Sequence, residues 1–194
     1  MPRQIDHEQR RVDIIEATLD VLAERGTRGL SFRAVANRLG GSTTLITHYF
    51  PTQNDLLDAV SASAVERWEE EIRALDAESE DPRERLHKLL IWLVPSTPTG
   101  LRDERSRINL VSGQILGETN RAVFEEWDRV IRGFLRNHLS DLVPAKSLDE
   151  TIDILRVAMT GITLSAVERP DAWSAKRQIA LVDSFLALLG LSSE

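Results

Sequence analysis

The chain of 194 residues has no cysteine, a single tyrosine, and no acidic residue at all between Arg25 and Asn54. Each shortage excludes something. Without cysteine there are no disulfides and no thiolate metal sites, which suits a reducing compartment. No apolar run approaches the roughly 20 residues that a bilayer requires. The polar start, Met1-Pro-Arg-Gln-Ile-Asp-His-Glu, predicts no signal peptide. Histidine is sparse and scattered, at His7, His48, His87 and His138, with no HExxH or other metal-ligand spacing. GxSxG, P-loop and GxGxxG motifs are missing. The carboxylate clusters Glu69-Glu70-Glu71, Glu125-Glu126 and Asp149-Glu150 fall on solvated helix faces and do not converge. The expectation is a cytoplasmic protein that is not an enzyme and needs neither metal nor cofactor.

The missing acids are the most informative shortage. At the chain's average of 31 Asp and Glu in 194 residues, a 30-residue window would hold roughly five. This one holds none, yet carries Arg25, Arg28, Arg33 and Arg38. The net charge of −7 is correspondingly uneven: residues 1–50 sum to +1 and the remainder to −8. A phosphate backbone repels carboxylates, so one acid-free end on an acidic body is the asymmetry of a chain that touches DNA at that end.

What is present is helical throughout. Val12, Ile15, Leu19 and Leu22 mark a first amphipathic helix over about 6–25, ended by Gly26 and Gly29. Phe32, Val35, Ala36 and Leu39 give a second, short helix with Ser31 as cap. After Gly40-Gly41, Ser42 caps a third, with Leu45, Ile46 and Tyr49 turned inward. Pro51 breaks the pattern, and Thr52-Gln-Asn-Asp55 reads as a capping box opening a helix of some 24 residues along Leu57, Val60, Ala64, Trp68, Ile72 and Leu75. Pro82 opens the next helix, and Pro95-Ser-Thr-Pro-Thr-Gly100 is the strongest break that follows. Helices are expected over about 101–116 and 120–140, from a capping box at Ser147-Leu-Asp-Glu150 to about Arg169, and from Ser174 to near Gly190. The predicted fold is all-α with about nine helices. Residues 1–51 would form a helix-turn-helix domain, and 52–194 a helical domain for ligand binding and dimerisation.

The second and third helices fit a helix-turn-helix, whose second helix lies in the major groove and must show short polar side chains to the bases. Here these are Thr43, Thr44, Thr47 and His48. A threonine offers a hydroxyl and a methyl, and a histidine a donor to guanine or phosphate. Arg33, with Arg3, Arg10 and Arg11 of the first segment, is placed for flanking phosphates or the minor groove.

The run Gly29-Leu-Ser-Phe-Arg-Ala-Val-Ala-Asn-Arg-Leu-Gly40, with Ser42-Thr-Thr-Leu-Ile-Thr-His-Tyr-Phe50 and Leu56-Leu57, resembles the TetR family of transcriptional regulators. The segment ending His48-Tyr49-Phe50 is most similar to its BetI-like branch. The specific resemblance covers roughly residues 10–60. It implies DNA contacts from Arg3, Arg11, Ser31, Arg33, Ser42, Thr43, Thr44, Thr47, His48, Tyr49 and Gln53. Four positions depart from the family pattern: Gly41 replaces an apolar residue, Thr44 a glycine, Thr47 a tyrosine and Gln53 a lysine.

The resemblance also implies that the remaining helices bind an effector and form a homodimer. For the dimer, the stripe Ile152, Leu155, Met159 and Ile162, beside Ala158, Gly161 and Ser165, is joined by Ile179, Val182, Phe185 and Leu186 of the last helix; two apolar stripes on one helix imply two buried faces. For the pocket, Trp92, Phe124, Trp127 and Phe134 supply apolar walls, and Asn109, Ser112 and Gln114 polar contacts. Trp92 and Trp127 make only two walls of an aromatic cage, and the only tyrosine lies in the reading helix, so neither choline nor betaine aldehyde is assigned as ligand. The expected function is a sequence-specific DNA-binding regulator, a repressor released from a pseudo-palindromic operator by a small molecule. The alternative is a helical dimer that binds a small molecule or a protein without DNA.

Overall fold

A computed structural model describes the backbone of residues 7–112 and 118–192, and their side chains apart from those of 27, 110–112 and 118–123. The described residues form nine helices and no strand: α1 (His7–Gly29), α2 (Phe32–Leu39), α3 (Thr43–Tyr49), α4 (Gln53–Asp76), α5 (Pro82–Trp92), α6 (Pro98–Ser112), α7 (Glu118–Leu139), α8 (Ala145–Glu168) and α9 (Ala175–Leu188). The all-α expectation holds. The chain divides into two compact units, Met1–Ala64 with Arg105–Val123, and Val65–Glu104 with Phe124–Glu194. That division falls inside α4.

In the first unit Ile14, Ile15, Leu19, Val21 and Leu22 of α1 are buried with Val35 and Ala36 of α2, Ile46 and Phe50 at α3, and Leu56 and Val60 of α4. Of the expected inward stripe, Ile15, Leu19 and Leu22 are buried and Val12 is exposed, while Ile14 and Thr18 are buried beside them. Gly26 interrupts α1 with φ 63 and ψ −172. Carbonyls just before such a break lose their regular helical donors. The Asn109 side chain, from α6, donates to two of them, Leu22 O at 3.0 Å and Ala23 O at 3.4 Å. Ser106, fully buried, donates to Leu19 O at 2.8 Å. These bonds tie the second half of α6 to α1, which is why the first unit takes in residues beyond 104.

The second unit is built on Ile72, Leu86, Leu89, Leu90, Ile131, Leu135, Leu139, Ile152, Leu155, Met159, Ile162, Val182 and Leu186. Two helix starts differ from expectation. α6 begins at Pro98 rather than 101: Thr97 accepts from Gly100 N through its hydroxyl at 3.0 Å, so part of the Pro-rich break is a helix cap. α8 begins at Ala145 behind Pro144, and Ser147 sits in its first turn with its N–H on Pro144 O at 2.8 Å. The capping box at Ser147–Glu150 is therefore not used.

Candidate nucleic-acid interface

The helix-turn-helix is held by caps at each end. Ser31 accepts from Ala34 N at 3.1 Å and Ser42 from Leu45 N at 3.3 Å, so both N-termini have a side-chain acceptor. Between them α2 stops at Gly40, whose φ of 65 lies in the left-handed region. Gly41 N then bonds back to Ala36 O at 2.9 Å and Gly40 N to Asn37 O at 3.3 Å, which satisfies carbonyls at the helix end. Gly41 itself needs no special backbone. A Cβ there would stand 3.3 Å from Leu45 Cδ2, tighter than ordinary contact, so glycine makes room for Leu45. Beyond α3, the Thr52–Asp55 box forms as expected. Asp55 Oδ2 accepts from Thr52 N at 2.8 Å and from its hydroxyl at 2.7 Å, while Asp55 N donates back to Thr52 Oγ1 at 3.1 Å.

On this scaffold α3 buries Ile46 and leaves Thr43, Thr44, Thr47 and His48 exposed. Thr47 donates its hydroxyl proton to Thr44 O at 3.2 Å. Arg33 is exposed at the start of α2. Arg11 lies with its guanidinium carbon 4.8 Å from the centroid of the Phe50 ring, a cation–π contact across the end of α3. Tyr49, half-buried, places its hydroxyl 2.8 Å from His7 Nδ1. Gln53 donates to Leu30 O at 3.4 Å, tying the start of α4 to the residue before Ser31. Arg3 lies outside the described residues.

One arginine of the acid-free window is engaged internally. Arg38 reaches Asp20 at 3.0 Å and Glu24 at 2.8 Å on α1, and Asp20 first, then Glu24, hold its guanidinium above its usual pKa. The window lacks acids in sequence, yet acids from outside it meet Arg38 in space.

The residues expected at the effector pocket and the dimer interface are distributed as follows. Phe124 and Trp127 pack edge to face at 5.5 Å, and Trp92 and Phe134 at 6.2 Å. Trp68, which sequence reasoning placed only in the α4 core stripe, joins the two pairs: it lies 5.6 Å from Trp127 and 6.2 Å from Trp92. Trp92 donates from Nε1 to Glu71 at 2.7 Å, whereas Trp127 Nε1 is buried with no partner among the described residues. Asn109 belongs to the first unit, where its amide donates to the α1 carbonyls. The Ser112 side chain and Gln114 lie outside the described residues.

Of the eight residues expected at a dimer interface, Ile152, Leu155, Met159, Ile162, Val182 and Leu186 are buried in the chain's own core. They leave no surface for a second copy, and Ile179 and Phe185 are half-buried. The apolar residues that α8 does expose are Ile154, Val157 (72%) and Leu164, two positions round from the expected stripe, and α9 exposes Leu188 (81%).

A doubly capped helix-turn-helix with a polar, acid-free reading helix defines a DNA-binding regulator of the helix-turn-helix class. Residues 14–60 match the family described as bacterial regulatory proteins, tetR family. Over 190 residues the chain is 34% identical to the HTH-type transcriptional regulator BetI of Burkholderia thailandensis, covering 97% of both chains. The chain belongs to the tetR family. Elsewhere its match is shorter. To the HTH-type transcriptional regulator PksA of Bacillus subtilis it is 37% identical over 103 residues, spanning 53% of this chain and 50% of that one. The chain thus spans about half the length of that relative. The fold also matches a transcriptional regulator from Saccharomonospora viridis solved in complex with choline, at a TM-score of 0.76 and 22% identity over 93% of this chain and 96% of that one. Among the described residues, no helix is long and apolar enough to cross a membrane, and no cluster of three His, Cys, Asp or Glu could hold a metal ion.

Proposed function

We propose that the chain is a homodimeric cytoplasmic repressor that binds a pseudo-palindromic operator and leaves it when a small organic effector binds. The observation that carries this reading is the exposed face of α3, with Thr43, Thr44, Thr47 and His48 outward on a helix fixed at both ends. These side chains read base edges in the major groove, where threonine pairs a hydroxyl with a methyl suited to thymine. Arg11, Arg33, Tyr49 and the caps Ser31 and Ser42 meet phosphates.

The second copy docks on α8 and α9 through Ile154, Val157, Leu164 and Leu188. Apolar side chains this exposed, repeating at helical spacing along α8, are the feature that favours a partner helix of the same kind. Twofold symmetry then sets two α3 helices about one DNA turn apart.

The effector docks on the tryptophan cluster of the second unit. Trp68 adds the third aromatic wall that Trp92 and Trp127 alone do not make, and Glu71 adds a carboxylate at its edge. Trp127 Nε1, buried and without a partner among the described residues, asks for an acceptor that an effector oxygen would supply. A quaternary ammonium alcohol is the first probe, since aromatic faces attract such cations. Release follows if the effector favours a conformation whose reading heads no longer fit successive grooves.

The test is an anisotropy titration with DNA from upstream of the chain's own gene. Preferential binding over random DNA at low salt supports the reading, and equal binding to both ends it. Choline titrated against tryptophan fluorescence then tests the ligand class: a saturable change lost in Trp68→Ala supports it, and no change removes choline.

A further inference from the structure

Where α1 begins, it is joined to the end of the reading helix at two adjacent points. His7, its first residue, meets Tyr49 through Nδ1 and Oη at 2.8 Å, with ring centroids 5.8 Å apart. Arg11, one turn later on the same face, lies over Phe50. Phe50 is buried and is the C-cap of α3, so its position is fixed. His48 packs edge to face on Tyr49, at 5.2 Å. The only tyrosine of the chain is thus held by two imidazoles at the edge of the reading face.

The chemistry of that hydrogen bond decides what the hydroxyl can do next. A phenol has one proton to give and two lone pairs that accept. If Tyr49 gives its proton to His7 Nδ1, it has nothing left for a phosphate oxygen, which only accepts. If His7 donates through Nδ1–H to the oxygen, the phenolic proton stays available and its direction is narrowed by the bond already accepted. Only the second arrangement is compatible with a phosphate contact. We propose that His7 is a positioning residue for DNA binding: it donates to Tyr49 Oη and so aims the tyrosine proton at a backbone phosphate.

This rests on the reading above, in which Tyr49 meets a phosphate. It goes beyond that reading by bringing the start of α1 into the grip through a residue that touches no base. His7 is exposed and at a helix end, so its replacement leaves the core intact.

The experiment measures operator affinity by anisotropy for the full-length wild type, His7→Ala, His7→Gln, Tyr49→Phe and the double variant His7→Ala/Tyr49→Phe. Each protein is also tested on operators carrying single neutral methylphosphonates along each strand. His7→Ala is expected to weaken operator and random DNA alike by roughly three- to tenfold, about what one net hydrogen bond is worth. His7→Gln, which keeps an N–H donor on a side chain of similar reach, recovers most of the loss. Tyr49→Phe loses a similar factor, and the double variant binds no worse than Tyr49→Phe. One methylphosphonate position makes wild type and His7→Ala bind equally, which a merely structural role for His7 would not produce. Wild-type affinity in His7→Ala, additive losses in the double variant, or a persistent His7→Ala defect at every methylphosphonate position would each overturn the inference while leaving the operator reading intact. A wild type that prefers no DNA would overturn both.

Discussion

Helices α3 and α8 each bury one face and expose another, and their exposed faces are opposite in kind. α3 exposes hydroxyls and an imidazole over a buried Ile46, whereas α8 exposes Ile154, Val157 and Leu164 over a buried Ile152, Leu155, Met159 and Ile162. A short helix that shows only small polar groups has little to gain from apolar surface and much from base edges and phosphates. A long helix with apolar residues on both faces has one stripe to cover its own core and another left over. The lesson is that burial within the chain has to be subtracted before an apolar stripe is assigned to a partner.

The sharpest way to break the comparison is to swap what each stripe is asked to do. Leu155→Ala removes a fully buried side chain from the second unit and is expected to cost about 2–5 kcal/mol in denaturant unfolding. Val157→Ala on the neighbouring stripe should cost under about 0.5 kcal/mol to the isolated chain, while Val157→Asp shifts sedimentation toward monomer. A monomeric wild type, or an unmoved dimer in Val157→Asp with Leu188→Asp, would leave the exposed stripe without its partner. At the reading end, Gly40→Ala forces a side chain into the left-handed region and should cost about 1–2 kcal/mol. Asn109→Ala strips the donor from Leu22 O and Ala23 O, for an expected loss of about 1 kcal/mol. Equal stability of that variant would mean that solvent satisfies those carbonyls as well. The smallest effect on stability is that of Thr47→Ala, near zero in unfolding. Its signature is a changed base preference in a binding screen, whereas Arg33→Ala weakens all sequences and flattens the salt dependence.

How much was legible follows the range of the forces involved. The reading helices could be found because their signals are local: Ser31, Ser42 and the Thr52–Asp55 box each satisfy N–H groups three residues away, and Gly40 solves a backbone problem at its own position. Ser147 shows the limit of such signals. It has the right residue three positions on, but Pro144, with no N–H and a fixed φ, starts the helix earlier. Thr97 hid inside a run that looks like a pure break until Pro98 is seen as a first helical residue.

The stripes of α8 were illegible for a different reason. Residues 152, 155, 159 and 162 share their period with 154, 157, 161 and 164, so periodicity alone cannot choose which faces inward. Only the packing of α4, α5, α7 and α9 decides it. Long-range polar contacts were equally hidden. Nothing local says that Arg38 belongs to Asp20 and Glu24, that Asn109 serves the break at Gly26, or that Trp68 bridges two aromatic pairs.

The threonines of α3 carry a consequence for how such a protein finds its site. With Arg38 tied to α1 and only hydroxyls and an imidazole on the exposed face of α3, the proposed reading leaves counterion displacement to arginines outside that helix, such as Arg11 and Arg33. On that reading α3 itself adds little to the hold on an arbitrary stretch of duplex. What the exposed face of α3 would contribute to operator occupancy is then the fit of methyls and hydroxyls to a few base steps rather than sheer attraction to the polymer.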